Sequence, residues 1–530
     1  MMGQKSRECA APVLVSLETL VPTDHFYRHL EKELDLSFVR EFVQEKYRQG
    51  GRPSIDPVVF FKLQLVMFFE GIRSERLLMR HAADRLSVRW YLGYDLDEEL
   101  PDHSSLTRIR NRYGVQIFRR FFEAIVEQCQ QARLVWGKEV FADATKAEAN
   151  AALDSLKPRF AVEEHLKMLF NGEESDESIS EPSASQTTGA DEVAIPPLLH
   201  PDLPAPLTEQ LRQQNSHRHD WFEHDGAPDR EVMRGSYQRQ ADFQVSTTDP
   251  DATVMSLKNG SHLGYHTHYV VDGGKSRIIL EVLVTPAEVM ENQPALDLLW
   301  RACFRWKIRP GQFTGDTTYG SAENIVALEQ QGIRAYVPLP DFDQRTGFFG
   351  QRAFRYDAER DVYLCPAEKE LHVLPSGCTD QFMQYRGKPS VCNSCPLKAQ
   401  CTTSMTGRRL SRHVAEEHLE RVRAYHATEA YKKAMRKRSV WVEPLFAEGK
   451  QWHGMRRFRL RRLWRVNSEA LIRAAGQNLK RLLKKRGWGR RPGPTGEALA
   501  LFLLFFRRAS SDTFSARSLP YSSFLRPVAC

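Results

Sequence analysis

Lys138-Glu139-Val140-Phe141-Ala142-Asp143 is the stretch at which the chain changes character. The residues before it follow a helical period. Val140-Phe141-Ala142-Asp143 is instead short, apolar and closed by a carboxylate, the pattern of a buried strand with a polar group at its C-terminal end. The following stretch, Ala144 to Ala152, is Ala-rich and polar and is read apart from the strand. Downstream, His262 to Val271 reads as a strand, Asp272-Gly273-Gly274-Lys275 as a hairpin turn and Ser276 to Val284 as its partner. Asn292 to Trp306 has helical spacing, with Leu296, Leu298, Leu299, Ala302 and Cys303 inward. Gln312 to Asp316 is a second strand ending in a carboxylate, Ala322 to Gln331 a helix and Ile333 to Leu339 a further strand. That order of elements describes a mixed α/β sheet.

Upstream, the spacing predicts helices over His25 to Leu34, Ser37 to Tyr47, Ser54 to Ile72 and Glu75 to Tyr91. Ser54 to Ile72 is apolar nearly all round, which suits a buried helix. Asp102 or Ser104 caps a last long helix through Ile117, Phe118, Phe121 and Phe122, whose first turns carry Arg108, Arg110 and Arg112. Those arginines suit a DNA backbone and equally a solvated face. Asn171 to His200 holds seven acids and no Lys or Arg, the composition of a solvated linker. Asp249 and Asp251 read as a turn pair, and His266 and His268 as ordinary sheet residues on one face of a strand.

Charge is distributed unevenly along the 530 residues. The whole chain carries +8, yet Arg456 to Arg491 contains fourteen Lys or Arg against one acid, Glu469. The remainder is therefore slightly acidic, and the C-terminal region is an electrostatic footprint for a polyanion. In Trp452 to Arg465 the bases interleave with Phe458, Leu460, Leu463 and Trp464, so one side can pack while His453, Arg456, Arg457, Arg459 and Arg462 reach phosphates. His413 to Lys437 reads as a charged helix, Ser439 to Val442 as a brief extended piece and Ser468 to Lys485 as the last helix. Glu443, followed by Pro444, begins the intervening helix at the head of the basic region.

Asp143, Asp316 and Glu443 thus stand at element ends. Carboxylates fixed at strand ends are what two-metal phosphoryl transfer requires, with divalent cations about 3.5–4 Å apart. Of nine cysteines, Cys365, Cys378, Cys392, Cys395 and Cys401 crowd one segment. The Cys392-Asn393-Ser394-Cys395 pair with Cys365 and Cys401 can close a tetrahedral zinc site. Cys378 competes with Cys365, which shares its Cys-Pro context with Cys395.

Several motifs occur in one order: Leu20-Val21-Pro22 with His25-Phe26-Tyr27-Arg28, Gly51-Arg52-Pro53-Ser54-Ile55-Asp56-Pro57, Gly71-Ile72-Arg73-Ser74-Glu75-Arg76 and Leu100-Pro101-Asp102-His103-Ser104-Ser105-Leu106. They continue through Asp143-Ala144-Thr145-Lys146-Ala147-Glu148-Ala149-Asn150-Ala151, Thr248-Asp249-Pro250-Asp251-Ala252, Gly315-Asp316-Thr317-Thr318-Tyr319-Gly320 and Gly476-Gln477-Asn478-Leu479-Lys480. Together they resemble the DDE transposases of bacterial insertion sequences, in the branch with a cysteine-rich insert before the last acid.

The resemblance implies an α/β, ribonuclease-H-like core in which Asp143, Asp316 and Glu443 bind two magnesium or manganese ions, cut at the element's ends and join the freed 3′-hydroxyl to target DNA. It also implies a phosphate contact by Lys450, seven residues after Glu443. Relatives carry a Tyr and an Arg before the Glu; here Tyr431, Arg436 and Arg438 are present, but Ser439 stands four before Glu443.

The expected organisation is an N-terminal helical, DNA-binding domain (1–137) and a first core segment (138–345) with an acidic linker at about 171–240. A zinc-binding insert (346–405), a second core segment (406–487) and an atypical tail (488–530) follow. The longest apolar run, Ala498 to Phe506, is far short of the ~20 residues of a membrane span, so a cytoplasmic protein is expected, and the resemblance implies that it acts on double-stranded DNA as a homodimer or larger. The competing expectations are a cleavage-only nuclease and a zinc-containing DNA-binding regulator.

Overall fold

The computed structural model describes residues 14–47, 50, 54–158, 244–339, 343 and 347–489. The acidic linker and nearly all of the tail lie outside these residues. The chain divides into units Met1–Leu482 and Leu483–Cys530, and the site and its scaffold belong to the first.

The N-terminal helices are α1 (Leu17–Leu20), α2 (Phe26–Glu33), α3 (Phe38–Val43), α4 (Pro57–Phe69), α5 (Glu75–Asp84), α6 (Leu86–Leu92) and α7 (His103–Gln131). In α4, Asp56 accepts a hydrogen bond from the Val58 N–H, and Pro57 takes a first-turn position that needs no donor. Phe60 to Phe68 are all buried, including Lys62, whose ammonium reaches Glu31 and the Tyr91 carbonyl. The expected single helix over Glu75 to Tyr91 is two, because Arg85 takes an extended conformation between them. Asp102 caps α7, and Gly114 at φ +64 interrupts it, a conformation glycine adopts without steric cost.

The principal sheet uses β1 (Glu139–Glu148), β4 (Thr253–Leu257), β5 (Gly260–Asp272), β6 (Ile279–Pro286), β7 (Gln312–Thr314) and β8 (Arg334–Tyr336); β2 (Leu156–Pro158) and β3 (Gln244–Ser246) pair separately. β5 lies between β1 on one side and β4 and β6 on the other, antiparallel to all three. β1, β7 and β8 run parallel. α8 (Ala295–Trp306) and α9 (Ala322–Gln330) provide the crossovers. β1 continues past Asp143 into the stretch read apart from it, because every residue from Val140 to Glu148 has a partner on β5. On α8 the buried face is Ala295, Leu298, Leu299, Ala302 and Trp306, which leaves Leu296 and Cys303 only partly covered.

Between Tyr336 and Glu416 stands a five-stranded antiparallel sheet, β9 (Arg355–Asp357), β10 (Val362–Leu364), β11 (Glu370–Val373), β12 (Phe382–Gly387) and β13 (Arg409–His413), with its own core of Phe354, Tyr363, Leu371, Tyr385 and Leu410. The short helices α10 (Pro389–Asn393) and α11 (Lys398–Cys401) lie between β12 and β13.

The chain then forms α12 (Glu416–Tyr425), α13 (Glu429–Trp441), α14 (Glu443–Trp452) and α15 (Leu463–Lys485). Two sequence expectations change here. His413 to Lys437 is split, with Thr428 capping α13, and α13 runs through the supposedly extended Ser439 to Trp441. α15 also starts before Ser468, because the Asp249 and Asp251 carboxylates accept the N–H groups of Arg462 and Leu463 at 2.8 and 2.7 Å. That capping is the role of the Asp249–Asp251 turn. Along α15, Asn467 bonds both the N–H and the carbonyl of Val284, and Asn478 does the same to Ile279.

Candidate active site

Asp143 and Asp316 are neighbours by register. Phe141 on β1 pairs with Thr314 on parallel β7, so each aspartate stands two residues beyond the same rung. Adjacent strands are about 4.8 Å apart, which sets the two aspartates near each other where β7 ends beside β1. Asp143 is 8 % exposed; its Oδ1 accepts the Ala144 N–H at 2.9 Å. Asp316 caps the turn Thr317–Tyr319 by accepting the Thr318 N–H at 2.8 Å. Glu443, the first residue of α14, is 55 % exposed.

Arg438 on α13 connects the elements. Its Nη1 donates to Asp143 Oδ2 at 3.1 Å, and its Nη2 lies 3.6 Å from Glu443 Oε1. A guanidinium thus stands between the first and third carboxylates. Burial pushes the Asp143 carboxyl up to about 6 against the pull of Arg438, with the negative charges of Asp316 and Glu443 adding to the rise.

Sequence reasoning missed Glu291. Burial, then the charges of Asp316 and Asp143, raise its carboxyl to about 7, so it shares their field. It lies in the connection between β6 and α8, with no strand end or motif to mark it. Among the described residues, no three His, Cys, Asp or Glu side chains stand close enough to hold a metal ion as they are.

The six basic candidates separate. Lys450 is half-buried; burial and the charge of Arg456 lower its pKa, while Asp143 draws it up. Arg456, Arg457 and Arg462 are exposed. Two others turn inward. His453 stacks on Phe68 at 3.8 Å and bonds the Phe68 carbonyl, and Arg459 pairs with Glu75 at 3.0 Å. The cause is that Gly454 to Arg462 is not helical: the Glu148 N–H donates to the Arg456 carbonyl, the Phe458 N–H donates to the Glu148 carbonyl, and Phe458 is buried.

Cys365, Cys392, Cys395 and Cys401 line one cavity. Burial raises the Cys401 thiol pKa; Arg408 opposes the rise and the three other cysteines add to it. A Cβ on Gly387 would come within 2.7 Å of Cys392 Sγ, so glycine keeps the cavity clear. Cys378 is exposed and points to the Leu374 carbonyl, away from this group. The sheet histidines are likewise structural. His266 bonds the Val289 carbonyl and His268 bonds Thr285, and burial lowers both pKa values, His268 to about 3.

Residues 15–112 match a family described as a transposase domain (DUF772), and residues 364–483 match a transposase DDE domain. No curated protein and no solved structure matches the chain. The second match contains Glu443 and the cysteine segment, the first the helices α1 to α6. Two separate stretches, each matched to a transposase domain, support a DDE-type transposase whose partner is DNA.

Proposed function

We propose that the protein cuts the ends of a mobile DNA element and joins them to target DNA, with Asp143, Asp316 and Glu443 as the catalytic carboxylates. The observation that carries this reading is the common offset of Asp143 and Asp316 from the Phe141–Thr314 rung, with Arg438 linking Asp143 to Glu443. The strand order β6-β5-β1-β7-β8, with only β5 antiparallel to the others, is that expected of a ribonuclease-H-like core.

The donor set is all oxygen and partly buried, which fits magnesium or manganese. When bound, such ions activate the attacking oxygen and neutralise the leaving one. Asp143 and Asp316 would hold them from the sheet edge. Glu443 would complete the site from α14, and the Arg438 guanidinium must give way for it to do so. Lys450 stands near Asp143 to meet a phosphate, and Arg456, Arg457 and Arg462 extend that contact along the backbone. The four thiols around the Gly387-walled cavity would hold a structural zinc that pins α10 and α11 to the insert's sheet. The active assembly is a homodimer or larger, because two element ends must be cut together.

The test uses end-labelled element DNA and a supercoiled target in magnesium. Asp143→Asn, Asp316→Asn and Glu443→Gln should each lose cleavage and joining by at least about a hundredfold while still retarding the DNA. Near-normal cleavage by any one of them refutes the assignment. Cleavage by the wild type without joining would identify a nuclease instead.

A further inference from the structure

Apart from the carboxylates, the described residues line a second cavity where α4 and α7 meet the Gly454 to Arg462 segment and α15. Arg73, Arg110, Arg459 and Arg473 line it with one carboxylate, Glu469, and Glu75 stands behind, paired with Arg110 and Arg459. Glu469 pairs with Arg473 in the same lining and accepts the N–H groups of Arg459 and Leu460. Four guanidiniums against two carboxylates leave an excess of two positive charges.

Two of these guanidiniums are buried, Arg459 is partly covered and Arg73 is exposed. Arg110 is 2 % exposed and Arg473 7 %. Burial lowers the pKa of both, and each is lowered further by a neighbouring guanidinium, Arg459 in both cases and Arg73 for Arg473. A guanidinium does not shed its proton in a protein; Glu75 and Glu469 answer part of the repulsion, and an anion in the cavity would answer more of it.

Two buried donors, Arg473 Nη1 and Gln64 Nε2, belong to residues of this lining and have no hydrogen-bond partner among the described residues. A buried donor with no acceptor is unfavourable, more so when it is charged, so a ligand that accepts from both is favoured. The cavity offers about 50 Å³ to the centre of a water-sized body. One water needs ~10–15 Å³ by that measure, so a small tetrahedral anion fits.

We propose that this cavity is a binding site for a phosphate-class oxyanion, held by Arg473, Gln64, Arg73 and Arg110, at the junction of the N-terminal helices with the C-terminal segment. It is independent of the catalytic assignment. The chemistry is shared by free phosphate and by a phosphate of DNA. Bound there, the anion ties α4 and α7 to α15 by accepting from both sides.

The full-length protein is titrated with inorganic phosphate, and separately with chloride at equal ionic strength, following the melting temperature and the heat of binding. Phosphate should bind with a stoichiometry of one and raise the transition by about 2 °C or more over chloride. Gln64→Glu supplies an internal carboxylate, so it should melt higher than wild type without phosphate and lose the phosphate response. Gln64→Leu keeps the test open if Gln64→Glu fails to fold; its phosphate midpoint should be weaker by about tenfold. Competition between phosphate and a short DNA duplex in the wild type, absent in Gln64→Leu, identifies a DNA phosphate as the occupant. Phosphate binding without competition identifies the free ion. A phosphate response equal to that of chloride, or unchanged in both variants, overturns the proposal.

Discussion

Asp143→Asn should make the metal-free protein more stable. Asp143 is buried, and its carboxyl pKa rises from 3.8 to about 6 on folding. A raised acid destabilises the fold wherever it is ionised: the loss is absent below the unfolded value, grows as pH rises and is complete above the folded value. At about 1.36 kcal/mol per pKa unit, ionised Asp143 costs about 3 kcal/mol at pH 7. Asparagine keeps the acceptor for the Ala144 N–H and removes the charge. Arg438 loses one partner but keeps Glu443, which offsets part of the gain and leaves about 1–2 kcal/mol. Calorimetry in chelator at pH 7 should show the main transition raised by about 1–3 °C, as expected for a chain of this size. The gain should fall below about 1 kcal/mol at pH 4, where wild-type Asp143 is largely protonated. Magnesium should then raise the wild-type transition and leave that of Asp143→Asn nearly unmoved. A variant that melts below wild type in chelator at pH 7 would refute the reasoning, because burial of charge could not then dominate at this position.

Two other outcomes follow from the scaffold. His268 is neutral when folded, its pKa lowered from 6.5 to about 3, so the unfolded chain takes up a proton first on acidification and stability present above pH 6.5 is lost as pH falls. The loss between pH 8 and pH 5 should be about 2 kcal/mol, and His268→Gln, which keeps a donor for Thr285, should lose correspondingly less over that range in denaturation titrations. Elemental analysis of the purified protein should find one zinc per chain, lost in Cys401→Ser and retained in Cys378→Ser; loss with Cys378→Ser and not with Cys365→Ser would exchange the two ligands.

The sheet was legible because its strands are marked by local chemistry. Val140-Phe141-Ala142-Asp143 and the Asp272-Gly273-Gly274-Lys275 turn each carry their own signal, although the strand runs on past Asp143 to Glu148 and the connection after Asp272 lasts until β6 begins at Ile279. Element ends set by distant partners were not legible. Only the fold brings Asp249 and Asp251 to the start of α15, more than 200 residues away, and so moves that start to Leu463. Arg438 likewise lies outside the expected spacing before Glu443, yet helical geometry through Trp441 swings it onto Asp143. Glu291 belongs to a connection whose position depends on where β6 and α8 pack. The inward turn of Arg459 and His453 was hidden because a basic, aromatic run reads alike as a helix or as an extended strap.

Asn467 and Asn478 have a consequence for the order in which the chain is made. Each bonds both backbone groups of one residue on β6, as a neighbouring strand would, and so closes the open margin of the sheet. Those two side chains are synthesised about 180 and 200 residues after the strand they cover. Until then a nascent chain displays an unpaired apolar margin that can template pairing with another copy. Fragments that stop before α15 should therefore coagulate rather than remain dispersed, and ribosome stalling ahead of residue 463 would be the most hazardous moment in the life of this protein.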